Sequence, residues 1–600
     1  VRTRPHPIVS LLLGAALILS GCGVFGGSDA EDVTTEFLAA LAGGDTERAA
    51  ALTDSPGAAK STLDQVRSAL QPEAVEARVN RVDEWDGREA GADYRIGWRL
   101  GDGRRWDYDA RARLYQIEGE WKLRWQPTVV HPKLGANQSL ALRTELPPPA
   151  PVLDRDGAPL LTADTVVSVL VDRKEAGEEL QRVVGTLADK LGPLDASITR
   201  RSIGEGVRNT EAGKPYVVAV LRSTDYYAIK PAIYNLPGVR FTSQQRLLPV
   251  EKDLGSQVLP AIRTAMAGRL GGKPGWRIVV VDASGAELDR LHSVRPQEAK
   301  ALNSTLSLPT QQAAERALDE VDVPGAIVAL RPSTGELLAV AQNEPADAEG
   351  AIALTGRYPP GSTFKIATAA AVLGQGRVRS DTRVECPPTT VIADRLVPND
   401  ERFGLPTGPL HTAFAHSCNT TFARLSADLP PSALTEAARS LGIGADFVVP
   451  GITTVTGSAP PGDTRVLRAE NGFGQGRMLA SPFGMALMAG TVAPGKTPVP
   501  SLVSGQRTEA TKLGEPLKPE VLKALRGMMR EVVTDGTARQ LSDLPGVHGK
   551  TGTAQFGDGS NAHGWFAGYS GDVAFSVLLV GAGSSKPAVQ VSERFLEQLS

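Results

Sequence analysis

A serine and a lysine three residues apart, Ser362 and Lys365, follow Tyr358-Pro359-Pro360-Gly361 and open an alanine-rich run that reaches Leu373. Neither proline fits a helix interior, so the pattern predicts a helix over 363–373 with Ser362 at its N-terminus. Lys365 then lies about one turn along the same face. A serine hydroxyl is a weak nucleophile at neutral pH and needs a base beside it. Lysine serves if its pKa is lowered, and both burial and the positive end of a helix dipole lower it. The same terms favour a developing serine alkoxide, so the chemistry on offer is acyl transfer through an ester at Ser362. An isolated Ser-x-x-Lys would more often be two surface residues on a helix.

Two further motifs follow in order. Ser417-Cys418-Asn419 stands between His411–His416 and the helical run from Thr420 to Leu425. A loop there can aim Ser417 at a leaving group and Asn419 at a substrate amide, although a serine helix cap would look the same. Lys550-Thr551-Gly552-Thr553 lies in a strand pattern over 547–556, with further strands over 564–568 and 573–580. A glycine inside a strand weakens pairing and often marks close backbone approach. Beside it a peptide can add as an extra strand.

The three motifs, in this order, resemble those of the penicillin-binding proteins and class A β-lactamases. Neighbouring text is similar as well: Asn471-Gly472-Phe473-Gly474-Gln475-Gly476, Ser481-Pro482-Phe483, Asp535-Gly536-Thr537-Ala538 and Gly564-Trp565-Phe566-Ala567-Gly568-Tyr569. The chain is identified as a member of the class B penicillin-binding proteins, PBP2a-like lipoprotein branch. The resemblance implies that Ser362 is the nucleophile, Lys365 its base and Ser417 the proton shuttle to the leaving amine. Asn419, Lys550, Thr551, Gly552 and Thr553 would bind substrate, and the backbone N–H groups of Ser362 and Thr553 would form the oxyanion hole. The implied activity is that of a peptidoglycan D,D-transpeptidase acting on stem peptides that end in D-Ala-D-Ala, with β-lactams acylating the same serine.

The first residues place the chain outside the cytoplasm. Arg2 and Arg4 precede an apolar run, Ile8 to Leu19, too short for the roughly 20 residues a membrane span needs and suited to a signal peptide. Leu19-Ser20-Gly21-Cys22 looks like a lipobox, in which Cys22 is acylated; a plain signal peptide with an incidental cysteine is the alternative. A diacylglyceryl group supplies two chains, enough for stable anchoring to the membrane. The remaining cysteines, Cys386 and Cys418, can pair as a disulfide that clamps the second motif, or stay as two buried thiols. No CxxC, HExxH or clustered histidines occur, so neither a metal nor another cofactor is expected. The 64 basic and 67 acidic residues give a net charge of -3, and no basic stripe with interleaved aromatics points to nucleic acid.

These signals predict a multidomain α+β chain. Residues 1–22 form the signal peptide and 23–30 a tether. Residues 31–140 read as a helix, 31–52, broken at Gly43-Gly44, followed by strands that turn at Gly101-Asp102-Gly103 and Glu118-Gly119-Glu120. That region resembles an NTF2-like domain, a spacer or docking module in which His131 is structural. Pro147-Pro148-Pro149-Ala150-Pro151 is a stiff linker. Residues 148–303, β-rich with a helix over 175–191, resemble the pedestal or dimerisation domain. Residues 304–600 would form the α/β-sandwich transpeptidase domain of the penicillin-binding protein/serine β-lactamase type.

Other readings use the same three motifs. A β-lactamase needs a deacylating base, and no clear Glu-x-x-x-Asn follows Ser417 at the expected distance. A D,D-carboxypeptidase differs only in taking water as acceptor. A sensor should carry a transmembrane signalling segment, and a poorly catalytic scaffold should have lost a motif. No segment resembles a glycosyltransferase domain, so glycan polymerisation falls to a partner such as an integral-membrane polymerase.

Overall fold

The computed structural model describes residues 29–557 and 559–599. The expected signal peptide and Cys22 lie outside the described residues, as does most of the tether. Helix starts already at Asp29, inside the expected tether, because Ala30 is fully buried and Thr34 Oγ1 bonds back to its carbonyl at 2.8 Å. None of the described helices is long and apolar enough to cross a membrane.

The described residues up to Leu146, together with Pro274–Pro296, make one compact unit. Its helices Asp29–Gly43, Thr46–Ala51 and Pro56–Leu70 accompany an antiparallel four-stranded meander over Ala74–Leu123, paired in sequential order. The two glycine-containing turns read from the sequence join its strands: Asp102, Gly103, Glu118 and Gly119 all have positive φ. Aromatic side chains of the sheet pack into the core of this unit. Trp98 Nε1 donates to Tyr108 Oη at 3.0 Å, and the Tyr94 and Tyr108 hydroxyls donate to the carbonyls of Val129 and Val130. His131 stacks on Trp106, and burial pushes its pKa down to about 4, as expected of a neutral structural ring.

The sequence reading assigns residues 274–296 to the pedestal, and the structure places them elsewhere. Gly275–Val281 pairs antiparallel with Ser139–Glu145 and with Glu287–Val294, which builds a second sheet of the N-terminal unit. Partners some 130 residues apart share no local periodicity, so the pairing is invisible to pattern reading. The segment expected to be the pedestal holds a sheet around Pro159–Val171, flanked by Val239–Pro249 on one side and Tyr216–Arg222 on the other. The helix expected over 175–191 is interrupted at Gly177, whose φ is +52°, and resumes as Leu180–Leu191.

That sheet shares its compact unit with the fold of the later residues. In the latter, α1 (Leu308–Leu318) leads into the hairpin β1 (Gly325–Leu330) and β2 (Leu337–Gln342). Ser307 caps α1 by accepting from the Thr310 N–H. The middle of the chain supplies α2 (Lys365–Gly374), α3 (Leu410–Ala415), α4 (Asn419–Ala427), α5 (Pro482–Val492) and α6 (Pro519–Thr534). The end supplies β3 (His548–Phe556), β4 (Asn561–Ser570), β5 (Val573–Leu579) and α7 (Lys586–Glu597). The strands form one sheet in the order β2-β1-β5-β4-β3, so sequence-distant ends meet at β1 and β5, and β3 is an edge. α5 is buried along its whole length, which suits a helix apolar on every side packed beneath the sheet. α1 and α7 cover the other face, completing the sandwich.

Candidate active site

Gly361–Phe364 form a 3-10 turn, and the α-helix begins only at Lys365. The sequence predicts α-helix from 363. Ser362 instead sits in the tighter turn, which is held by Thr363 Oγ1 donating to the Pro360 carbonyl at 2.6 Å and Trp565 Nε1 to that of Pro359 at 3.0 Å. Gly361 has φ +51°, and a Cβ on it would lie 2.5 Å from the Thr553 carbonyl. A Cβ on Gly552 would lie 2.8 Å from the Pro360 carbonyl. The two glycines therefore let β3 and the serine turn touch backbone to backbone.

Lys365 is fully buried. Its Nζ lies 2.9 Å from Ser362 Oγ, 3.2 Å from Ser417 Oγ, 2.7 Å from the Ser417 carbonyl and 2.6 Å from Asn419 Oδ1. Burial is the main cause that pushes its pKa far below that of an ordinary lysine; the Lys550 charge adds to this and Asp400 opposes it. Lys550, also fully buried, donates from Nζ to Ser417 Oγ at 2.9 Å and to the Thr551 carbonyl at 3.1 Å. Burial lowers its pKa to about 7. The Ser417 hydroxyl thus bridges two lysine amines. Ser417 holds this position with φ +63°, a left-handed conformation that costs a non-glycine residue roughly 1–2 kcal/mol.

Residue 418 fixes that turn from behind. Cys418 and Cys386 form a disulfide with Cα atoms 6.1 Å apart, both buried. The Asn419 carboxamide is oriented by Nδ2 donating to the Pro398 carbonyl at 3.2 Å. The Thr551 hydroxyl pairs with Thr537 Oγ1 at 2.6 Å, while Thr553 Oγ1 accepts from the Ser585 N–H at 3.2 Å. A cleft of about 1100 Å³ opens over Ser362, Ser417, Asn419, Thr551 and Thr553. Among the described residues no three His, Cys, Asp or Glu side chains gather to hold a metal.

The structure therefore brings together every catalytic and substrate-binding position singled out in the sequence; Cys22, the expected lipidation site, lies outside the described residues. Sequence reasoning missed Asp400, the acid whose charge reaches Lys365, and Thr537, the partner of Thr551. Thr537 belongs to Asp535-Gly536-Thr537-Ala538, noticed only as similar text. Its Gly536 packs so close to the Ala415 carbonyl that an added Cβ would lie 2.4 Å from it.

Residues 325–599 match the penicillin-binding protein transpeptidase domain, and residues 29–138 the NTF2-like N-terminal transpeptidase domain. Penicillin-binding protein 3 of Bacillus subtilis is 23% identical over 526 residues, covering 75% of this chain and 76% of that protein. Peptidoglycan D,D-transpeptidase PbpA of Mycolicibacterium smegmatis is 28% identical over 320 residues, covering 45% of this chain and 64% of its own length, just under two thirds. Among solved structures, a penicillin-binding protein (PBP2) in complex with MreC from Helicobacter pylori superposes with a TM-score of 0.58 at 18% identity, over 77% of this chain and 99% of that one. The chain thus carries an NTF2-like N-terminal transpeptidase domain followed by a penicillin-binding protein transpeptidase domain, and the second holds all three motifs.

Proposed function

We propose that the chain is a peptidoglycan D,D-transpeptidase that cross-links stem peptides through an acyl-Ser362 intermediate. The observation that carries this reading is the set of oxygens around Lys365 Nζ. Two of the four, the Ser417 carbonyl and Asn419 Oδ1, can only accept. They take both N–H bonds of a neutral amine and leave its lone pair facing the hydroxyls of Ser362 and Ser417. Burial favours the neutral form of that amine.

Ser362 Oγ then attacks the carbonyl between the two D-alanines and its proton passes to Lys365. The oxyanion falls between the N–H groups of Ser362 and Thr553, a kind of donor whose loss typically costs about 3–4 kcal/mol of transition-state stabilisation. On collapse the C–N bond breaks, and the departing amine takes its proton from Ser417, which recovers one from a lysine beside it. The terminal carboxylate is met by Lys550, whose pKa of about 7 rises when an anion arrives, and by the threonine hydroxyls. A side-chain amine of a second stem peptide resolves the ester and completes the cross-link. A β-lactam acylates the same serine.

The likeness to the PBP2–MreC complex and to a peptidoglycan synthase complex supports a place beside other wall-building proteins, with an integral-membrane glycan polymerase as the partner class. The substrate puts the catalytic unit on the outer face of the cytoplasmic membrane, with acylated Cys22 as anchor; the mass of the N-terminal peptide from cell-derived protein tests the anchor. Fluorescent penicillin should label the native chain and not Ser362→Ala; labelling of both would end the assignment. Turnover of a stem-peptide thioester should rise when a D-amino acid acceptor is added, and hydrolysis without that rise would make the chain a carboxypeptidase.

A further inference from the structure

β3 is an edge strand whose backbone faces the cleft. In an antiparallel strand, residues of one parity turn N–H and C=O toward the paired neighbour and those of the other parity turn them outward. Gln555 is outward: its N–H and C=O meet a side chain that does not belong to the sheet, so Thr553 and Thr551 face the same way. Of these outward stations, the Thr551 carbonyl accepts from Lys550 Nζ, Thr553 lies beside Ser362, and Gln555 is occupied. The occupant is Gln475. With its amide turned to satisfy both groups, Oε1 accepts from the Gln555 N–H at 3.0 Å and Nε2 donates to the Gln555 carbonyl at 3.3 Å. One side-chain amide thereby imitates the next residue of an added strand.

The loop that carries Gln475 is held from several sides. The Gln475 N–H donates to the Glu470 carbonyl at 3.1 Å, and the Gly361 N–H to the Gly474 carbonyl at 3.0 Å. Thr368 Oγ1 donates to the Gly472 carbonyl at 2.7 Å, and Asn471 Oδ1 accepts from the Arg477 N–H at 3.0 Å. Gly474 leaves no room for a Cβ, which would lie 1.9 Å from the Gly361 carbonyl. The same contacts that seat the Ser362 turn therefore place Gln475 over the strand edge.

We propose that Gln475 is a specificity-determining residue that ends strand addition on β3 at Thr553, so that the site gains nothing from a regular extended donor segment beyond the residues paired there. Strand partners use every second residue on an edge, so Gln555 is the station for the donor residue two positions before the one acylated. A donor residue arriving there must break two hydrogen bonds to make two, and its net gain is close to nil. Removing the amide leaves the Gln555 groups open to the donor backbone.

The inference rests on the transpeptidase reading. Thioester donors with an identical acyl-forming end are compared, the longer ones extended by two and three α-linked residues, for the native chain and for Gln475→Ala and Gln475→Ser. Within each protein the kcat/KM of the long donor is divided by that of the short one, so that any common effect on the nucleophile cancels. The native ratio should stay near one and the variants' ratios should rise about fivefold, the factor one net hydrogen bond supplies. Equal ratios in native and variant proteins overturn the inference, as does a native ratio that already rises. If the native chain turns over no thioester and takes no penicillin label at Ser362, the transpeptidase reading fails instead.

Discussion

Lys550 is buried with its pKa lowered from 10.5 to about 7, and this makes folding stability depend on pH with a definite sign. Above pH 10.5 the side chain is neutral in both folded and unfolded chains and contributes no pH dependence. As pH falls below that value the unfolded chain takes up the proton first, so the folded state loses stability down to the folded pKa near 7; below it the loss is complete. At about 1.4 kcal/mol per pH unit, the loss between roughly pH 10 and pH 6 is about 4 kcal/mol. Lys550→Met removes it. The same change strips the donor from Ser417 Oγ and the Thr551 carbonyl, a pH-independent cost of about 1–2 kcal/mol. The variant should therefore be the more stable protein near pH 6 and the less stable near pH 10, with the two curves crossing between. Loss of the Lys550 charge also relaxes Lys365, which acts in the same direction. Trp565 is the one tryptophan of the seven in the chain that lies in the catalytic unit, so fluorine NMR of fluorotryptophan-labelled protein follows unfolding of that unit by itself in urea. Parallel curves for native and variant protein would refute the claim that burial, unrelieved by a partner acid, sets the state of Lys550.

Ser417→Ala and Ser417→Gly both delete the hydroxyl that joins the two lysines, so acylation by fluorescent penicillin should drop sharply in each. The φ of +63° predicts that the glycine variant is the more stable of the pair by about 1 kcal/mol in urea unfolding, and equal stability would contradict the left-handed assignment. The Cys386–Cys418 disulfide closes a segment of 32 residues in sequence, for which loop entropy gives a contribution of about 4 kcal/mol. Cys386→Ala/Cys418→Ala should lower the stability of the catalytic unit by an amount of that order, and reductant should do the same to the native chain; no change with either treatment would show that the bridge does not form in solution.

Much of the site is legible locally. The Ser362–Lys365 spacing, the prolines before it and the helix formers after it act over a single turn, and the glycine turns of the N-terminal meander act over two or three residues. These are short-range steric facts, and pattern reading captures them. Its misses have a common character. The 3-10 turn at Ser362 is imposed by Trp565 and by contact with β3, the hairpin over 274–296 belongs to a strand far upstream, and Gln475 reaches Gln555 across the cleft.

The sequence by itself determined which groups can react: a serine nucleophile, two lysines, a second serine and an asparagine, each in a local frame suited to it. Only the tertiary structure decided their state. Lys365 meets Ser417 from 52 residues away and Lys550 meets it from 133, and the packing there leaves both lysines fully buried. A lysine on an exposed helix is an ammonium ion and no base. What lowers its pKa is desolvation, a property of everything packed around it and of no residue pattern along the chain.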